Sequence, residues 1–387
     1  MSQGILGPDI NVDNVYIYLA DAVRWDSLPE TVRSAGSSFK TVAASCATMR
    51  AVSSIITGLN APAHGVRSWT DRLTEPSLLG LEDVNTGYYN PAGGDSGGLN
   101  SVLNRESENQ LEDIEPPFVY FERDQGGHAP YAGMSYEEML TDLDQSSAEI
   151  QSRYADMVSR STDRFSERLE VLSNRGLRDS TLIIYLGDHG ELLGEQGLVS
   201  HSSPIMPELV YVPTVFIHPD LENTDVQSET IGQIDIAPTV LDALGESSSE
   251  LSPTGVSLFS NTPGARYTDS IHTQSFGGKE REVYRSESLW DESGGHIFTS
   301  AVSSFLSPAI LAKKAQGWNR KYLQSNPGEI PAALKCMSAR HRVSGRPGFS
   351  ESHARDTIEE IRETKSSSES VDLDEDIEER LEDLGYR

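Results

Sequence analysis

Cysteine, lysine, aromatic side chains and long apolar runs are all scarce in this chain of 387 residues. Its two cysteines, Cys46 and Cys336, cannot build a disulfide framework, and their spacing makes no metal knuckle, so a reducing compartment is the simpler reading. No stretch approaches the roughly 18 apolar residues needed to span a bilayer. Residues 1–13 have neither a basic n-region nor an apolar h-region, so a soluble, cytoplasmic protein is expected. Basic charge is short as well: 31 Lys+Arg against 60 Asp+Glu leave a formal net charge of −29. Such a field repels nucleic-acid phosphates and anionic headgroups, which excludes non-specific nucleic-acid or membrane binding. Only 7 of the basic residues are Lys and 24 are Arg. With so much carboxylate, that bias reads as halophilic, an adaptation to a high-salt cytosol where screening reduces self-repulsion.

What remains is a lean but sufficient apolar supply, 36% of the chain, enough for one large domain with a smaller appendage. Residues 14–20, 117–122, 180–187 and 212–218 read as strands; the first ends at Asp21 and the third runs into Asp188 and His189. Residues 45–58, small side chains followed by Val52, Ile55 and Ile56, read as a loop feeding a short helix. Helical spacing runs through residues 135–174 and again through 234–244. Residues 83–110, rich in Gly, Asn, Asp and Ser, read as a long surface loop and a candidate substrate lid. From about residue 265 the texture becomes short antiparallel strands (267–302), then a helix (304–321). A polar spacer at 366–370 precedes a charged terminal helix or tail. The expected fold is α/β, a central mostly parallel sheet flanked by helices, with a small C-terminal α+β region. The segments are 1–264 (catalytic domain), 265–365 (the smaller region completing it) and 366–387 (acidic tail).

In such sheets ligands bind beyond the C-terminal ends of strands, where Asp21, His128 and Asp188 fall. A carboxylate at one strand end, a hydroxyl in a small-residue loop and an Asp-His pair at another strand end offer three oxygens and a nitrogen to one divalent cation. That cation would lower the pKa of a coordinated hydroxyl and draw charge off a tetrahedral ester. Each element alone has a plainer explanation, Asp21 and Thr48 as caps and Asp188-His189 as a turn.

Their order and context resemble the alkaline phosphatase and sulfatase superfamily. The resemblance rests on Asn14-Val-Tyr-Ile-Tyr-Leu-Ala-Asp21, Thr57-Gly-Leu-Asn-Ala-Pro-Ala-His-Gly65, His128-Ala-Pro-Tyr131, Gly187-Asp-His-Gly-Glu191, Pro207-Glu-Leu-Val-Tyr-Val-Pro213 and Asp235-Ile-Ala-Pro-Thr-Val-Leu-Asp242. It implies the alkaline-phosphatase-like fold and ester hydrolysis. Sulfatases carry a Cys-x-Pro-x-Arg motif whose Cys, oxidised to formylglycine, lies nine residues before the Thr of the Thr-Gly pair. Nine residues before Thr57 is Thr48. Cys46 and Arg50 imitate the motif two residues early, which leaves Cys46 as the alternative nucleophile and Thr48 as the expected one, as in the phosphodiesterase, phosphonate-hydrolase and phosphoglycerol-transferase branches. Many members have paired aspartates after the first strand; here the second position is Ala22.

The implied metal ligands are Asp21, Thr48, Asp188 and His189, holding one divalent cation, with Mn, Zn and Ca all suited to the donors. His128 and His201 are expected to protonate the leaving group or bind ester oxygens, Arg50 and His64 to face the anionic ester, and Glu191 to stand behind the metal. Asp124, His128 and His201 form an alternative second-metal set. The implied activity is cleavage of a sulfate or phosphate ester, on a small molecule or a glycan, through Thr48. The alternatives are phospho-alcohol transfer (phosphoglycerol or phosphoethanolamine) to a glycan or lipid head group, and an inactive homologue that binds an anionic glycan.

Overall fold

The computed structural model describes the chain apart from residues 1–3, 8–9, 92–97, 109, 132, 202–203, 247–249, 277–278, 302–316, 365–368 and 371–387. Its strands, in chain order, are β1 (Asn14–Ala20), β2 (Ser37–Val42), β3 (Asp71–Arg72), β4 (Asn85–Tyr89), β5 (Phe118–Asp124), β6 (Thr181–Leu186), β7 (Tyr211–Ile217), β8 (Asp225–Gly232), β9 (Arg266–Phe276), β10 (Lys279–Trp290), β11 (Gly294–Ala301), β12 (His341–Gly345) and β13 (Glu369–Ser370). Seven of them form a sheet in the order β4-β5-β1-β6-β7-β2-β8. Only β7 runs against its neighbours, so the sheet is mixed but mostly parallel. Strands β12, β11, β10 and β9 form a second, antiparallel sheet.

β1 is central because both of its faces can be buried. Val15, Ile17 and Leu19 enter one apolar cluster and Tyr16, Tyr18 and Ala20 enter another on the opposite face, as a two-residue repeat requires. On the first face the helices Thr48–Thr57 and Ile236–Leu244 supply Val52, Ile55, Ile56 and Val240. On the second, the helix Ser147–Asn174 supplies Ile150, Tyr154, Met157 and Phe165. The ends of β1, β5 and β6 are level, Ala20 opposite Asp124 and Leu19 opposite Leu186. That register brings the residues following all three strands to one edge.

Several expectations change in detail. Residues 135–174 form two helices, Tyr136–Thr141 and Ser147–Asn174, because each has its own cap: Ser135 accepts from the Glu138 amide and Ser146 from the Glu149 amide. Residues 83–110 are not a continuous loop, since they hold β4 at the sheet edge and the helix Gly98–Leu103. The helix expected at 304–321 is described only over Gly317–Ser325, and the terminal helix or tail at 371–387 lies outside the described residues. The short strands β2 and β8 were not separable in the sequence from their polar surroundings.

The two sheets are tied together. An apolar cluster joins Val42, Cys46, Leu192 and Leu209 to Trp290, Ile297, Ala333 and Met337, and Ser45 forms a parallel bridge with Asp269 of β9. The Asp235 motif is a bracket at this junction. Its buried carboxylate accepts from the Gly232 and Val256 amides at 2.8 and 2.9 Å and from Arg266 Nε and Nη2 at 2.9 and 2.8 Å. Removing one partner of such a pair leaves a buried uncompensated charge. Arg266→Ala is therefore expected to cost about 3–5 kcal/mol in denaturant unfolding at fixed salt; a loss below about 1 kcal/mol would show that the bracket does not hold the junction.

Candidate metal centre

Asp21 follows β1 directly, and Asp188 and His189 follow β6 after a single glycine, Gly187. All three are fully buried, as is Thr48 at the first position of the helix Thr48–Thr57. Close backbone packing sets this geometry. A Cβ on Gly126 would lie 2.0 Å from the Asp21 carbonyl oxygen, and the Gly127 amide donates to that oxygen at 2.8 Å. Ala22 takes a positive φ of 59°, and its amide donates to Asp188 Oδ1 at 3.0 Å, as does the His189 amide at 2.8 Å.

These bonds occupy Asp188 Oδ1 and leave Oδ2 accepting no hydrogen bond; Asp21 Oδ1 is in the same state. Both orphan oxygens face His189 Nε2, at 3.5 Å from Asp188 Oδ2 and 3.7 Å from Asp21 Oδ1. His189 Nδ1 lies 2.9 Å from the Gly190 carbonyl, which can only accept, so Nδ1 carries the proton and Nε2 presents a lone pair. Thr48 Oγ1, 3.2 Å from that Nε2, completes the set. Acceptors aimed at acceptors in a dry space call for a cation. Three oxygens and one imidazole nitrogen fit a divalent ion, and the carbonyl behind His189 is the partner that orients an imidazole ligand. Among the described residues, Asp21, Asp188 and His189 are the one group of three acidic, His or Cys side chains whose ligand atoms lie within 4.8 Å of one another.

The charges tell the same story. Burial pushes the Asp188 carboxyl up to about 6, and the charge of Asp21 adds to the shift. Burial acts on Asp21 too, but Arg123, and then His128 and His189, outweigh it and hold this carboxyl well below its ordinary value. His189 is held down by burial and pulled up, on balance, by Asp188 and Asp21.

Arg123 was not foreseen. Its Nε and Nη2 both donate to Asp21 Oδ2, the former at 3.0 Å, and its Nη1 donates to Asn90 Oδ1 at 3.0 Å. The available signal was an arginine at the end of a run otherwise fit for a buried strand, where a charge must find a partner.

The other expected residues divide. His128 and His201 stand beside the ligands: the His201 ring centroid is 4.4 Å from that of His189 and 4.9 Å from that of His128. Burial lowers them to about 4 and about 3, so both are neutral at pH 7. Glu191 Oε2 lies 3.3 Å from His201 Nδ1, and burial raises this carboxyl to about 7.

The second-metal set does not assemble. Asp124 Oδ1 accepts the Gly126 amide at 2.9 Å and Oδ2 is paired with Arg164 at 2.5 Å, so its charge is already spent. His64, expected to face the ester, has both ring nitrogens engaged within the fold: Nε2 lies 3.1 Å from Ser54 Oγ and Nδ1 accepts the Val66 amide at 3.2 Å. Arg50, expected as an anion clamp, is spent within the fold on Asp269, Ser45 and the Arg67 carbonyl. Cys46 is buried in the apolar cluster with Val42, Leu192 and Leu198.

Comparison with known proteins agrees with this architecture. A family model described as Sulfatase matches residues 63–246. The low-salt glycan biosynthesis sulfotransferase Agl7 of Haloferax volcanii is 32% identical over 410 residues, covering 99% of this chain and 100% of that protein. Among solved structures, a 2-O GAG sulfatase aligns with 13% identity and a TM-score of 0.57, covering 87% of this chain and 96% of its own. The phosphonate monoester hydrolase of Agrobacterium radiobacter aligns with 14% identity and a TM-score of 0.57, covering 82% and 96%. At these identities the solved structures speak to the fold. No described helix is long and apolar enough to cross a membrane.

The raised carboxyl values fix a sign. Asp188 and Glu191 bind protons more tightly in the folded, metal-free protein than in the unfolded chain. Their contribution to stability is present at low pH and lost as pH rises through about 6 and about 7. A cation competes with the proton on Asp188, the one of the two that belongs to the ligand set. The rise in melting temperature produced by Mn, relative to chelator, is therefore expected to be small at pH 5 and larger at pH 7.5 in molar salt. An equal rise at both values would rule out this ligand set.

Proposed function

The chain belongs to the sulfatase family, and from that premise we propose that it cleaves a sulfate or phosphate ester through attack by Thr48 Oγ1. The observation that carries the reading is the position of that hydroxyl, fully buried and 3.2 Å from His189 Nε2, to which it donates, with the orphan oxygens of Asp21 and Asp188 around the same nitrogen. Asp21, Asp188, His189 and Thr48 would hold the divalent ion, which when bound acidifies a hydroxyl and draws charge off the ester.

The residues of the chain supply the rest. In the first step the bond from Thr48 Oγ1 to the sulfur or phosphorus forms as the ester bond to the alcohol breaks. The Thr48 proton passes to a neutral imidazole, His128 or His201, and from there to the departing oxygen. Burial keeps both rings neutral at rest and so able to take that proton. Beside His128, the Ala129 carbonyl accepts a hydrogen bond from Nδ1–H, leaving Nε2 as the acceptor. Glu191, when ionised, orients His201 in the same way through Nδ1. In the second step the incoming hydroxyl gives its proton to the imidazole and its oxygen to the sulfuryl or phosphoryl group. As the bond to Thr48 breaks, the imidazole passes that proton to Thr48 Oγ1, which regenerates the hydroxyl and the neutral ring. The positive end of the helix Thr48–Thr57 favours the anionic group held there.

Water as the incoming hydroxyl gives a hydrolase, and a sugar hydroxyl gives a transferase. The second reading is favoured by one finding, the sulfotransferase name of a relative that matches along the whole chain. The acidic composition further supports assay in molar salt, where a substrate anion is screened from the net charge of −29.

Thr48→Ala is expected to reduce turnover of nitrophenyl sulfate, phosphate, phosphodiester or phosphonate by at least about 10³-fold, and Cys46→Ala to leave it within about twofold. Quenched wild-type protein should carry one sulfuryl or phosphoryl group on Thr48 by peptide mass spectrometry. Full turnover by Thr48→Ala with loss in Cys46→Ala would reverse the assignment. Product analysis with and without an added glycan acceptor separates transfer from hydrolysis.

A further inference from the structure

The segment leading into Thr48 is irregular, and its hydrogen bonds come largely from the second sheet. The Asp269 amide donates to the Ala44 carbonyl at 3.2 Å, and the Cys46 amide donates to the Asp269 carbonyl at 2.9 Å. Ser45 Oγ donates to that same carbonyl at 3.2 Å, and Thr268 Oγ1 to the Ala43 carbonyl at 2.5 Å. Beyond Thr48 a charge pair repeats the connection. Arg50 Nε donates to Ser45 Oγ at 2.8 Å and lies 3.1 Å from Asp269 Oδ1 as an ion pair, neither Asp269 carboxylate oxygen accepting a hydrogen bond, while Nη1 donates to the Arg67 carbonyl at 3.0 Å. Asp269 is fully buried and Arg50 is 1% exposed.

Such a pair is an expensive way to gain stability, because desolvating both ions costs about as much as their attraction returns. Fixing a register is a better use of it. Thr48 and Arg50 both sit in the first turn of one helix, two residues and so about 200° apart. The side that is bolted to β9 is therefore opposite the side that presents the Thr48 hydroxyl to His189.

We propose that Arg50 and Asp269 are positioning residues that clamp the Thr48 loop to β9, so that the second sheet sets where the Thr48 hydroxyl lies against the metal ligands. The proposal rests on Thr48 being the nucleophile. It gives strand β9, outside the stretch matched by the family model, a direct part in arranging the site.

The test uses the full chain with Asp269→Asn, Arg50→Lys and the apolar pair Arg50→Met with Asp269→Leu. Three quantities are read: kcat and KM on the nitrophenyl ester that the wild type turns over, calorimetric affinity for Mn, and hydrogen exchange of residues 44–50. The single variants are expected to lose about 10²-fold in kcat, since a misplacement of 1 Å is enough. KM should stay within about twofold, and Mn affinity should fall by no more than about tenfold, because Thr48 alone of the four ligands is displaced while Asp21, Asp188 and His189 stand at the ends of other strands. Exchange at 44–50 should rise, and the apolar pair, which leaves no unpaired ion, should recover at least about tenfold of the lost kcat. A raised KM with kcat retained would instead make Arg50 an ester clamp and overturn the proposal. So would unchanged exchange at 44–50 in both single variants. Wild-type protein that turns over none of the esters would refute the Thr48 reading, and the exchange experiment would still decide whether the pair holds the loop.

Discussion

Asp21 and Asp188 are carried to one buried point by strands that cannot part without breaking the middle of the sheet. β1 and β6 pair residue for residue from Asn14 with Thr181 to Leu19 with Leu186, and β5 continues the same register on the other side. Beyond those ends the backbone is pinned again, by Gly126 packed on the Asp21 carbonyl and by two amides on Asp188 Oδ1. Each carboxylate is left with one oxygen aimed at a nitrogen lone pair. Two carboxylates so confined cannot both remain ionised without a counter-charge, and burial first, with the charge of Asp21 second, pushes the Asp188 carboxyl up to about 6. A divalent cation would resolve that conflict, and the same confinement would make a bound cation effective, because little water remains to screen it.

The charge of the whole molecule sharpens this requirement. A net −29 repels the anionic esters that the fold family handles, so positive charge must be concentrated locally. The chain supplies some of it through Arg123, which takes Asp21 Oδ2 and thereby offsets one of the two ligand charges. The residue after Asp21 is the uncharged Ala22, so no second carboxylate follows β1 directly. Of the neighbouring imidazoles, His128 and His201 add no charge, since burial keeps them neutral.

The site is also more distributed along the chain than its motifs imply. Ligands come from the ends of β1 and β6, but the loop bearing Thr48 leans on β9, more than two hundred residues later. The residue that was expected to clamp an ester, Arg50, is engaged in that contact. Arg266 plays a comparable part for Asp235, so the second sheet is fastened at two charged junctions as well as through an apolar cluster.

The sequence alone determined the central strands, because runs such as residues 14–20 and 181–186 are apolar on both faces and have no other stable place. It also placed Asp21 and Asp188-His189 at the ends of those strands, because a strand end positions the residues that follow it within narrow limits. Thr48 was legible by counting back from Thr57, and the acidic composition was legible outright. Arg123, Asn90 and Asp269 were not, nor was the commitment of Asp124 to Arg164 or of His64 to Ser54. Each of these is a pairing of buried polar groups distant in the chain, and nothing local distinguishes an arginine that will meet a substrate from one that will meet a carboxylate. Only the tertiary structure decided that, since a buried charge takes the partner that the packing brings within reach.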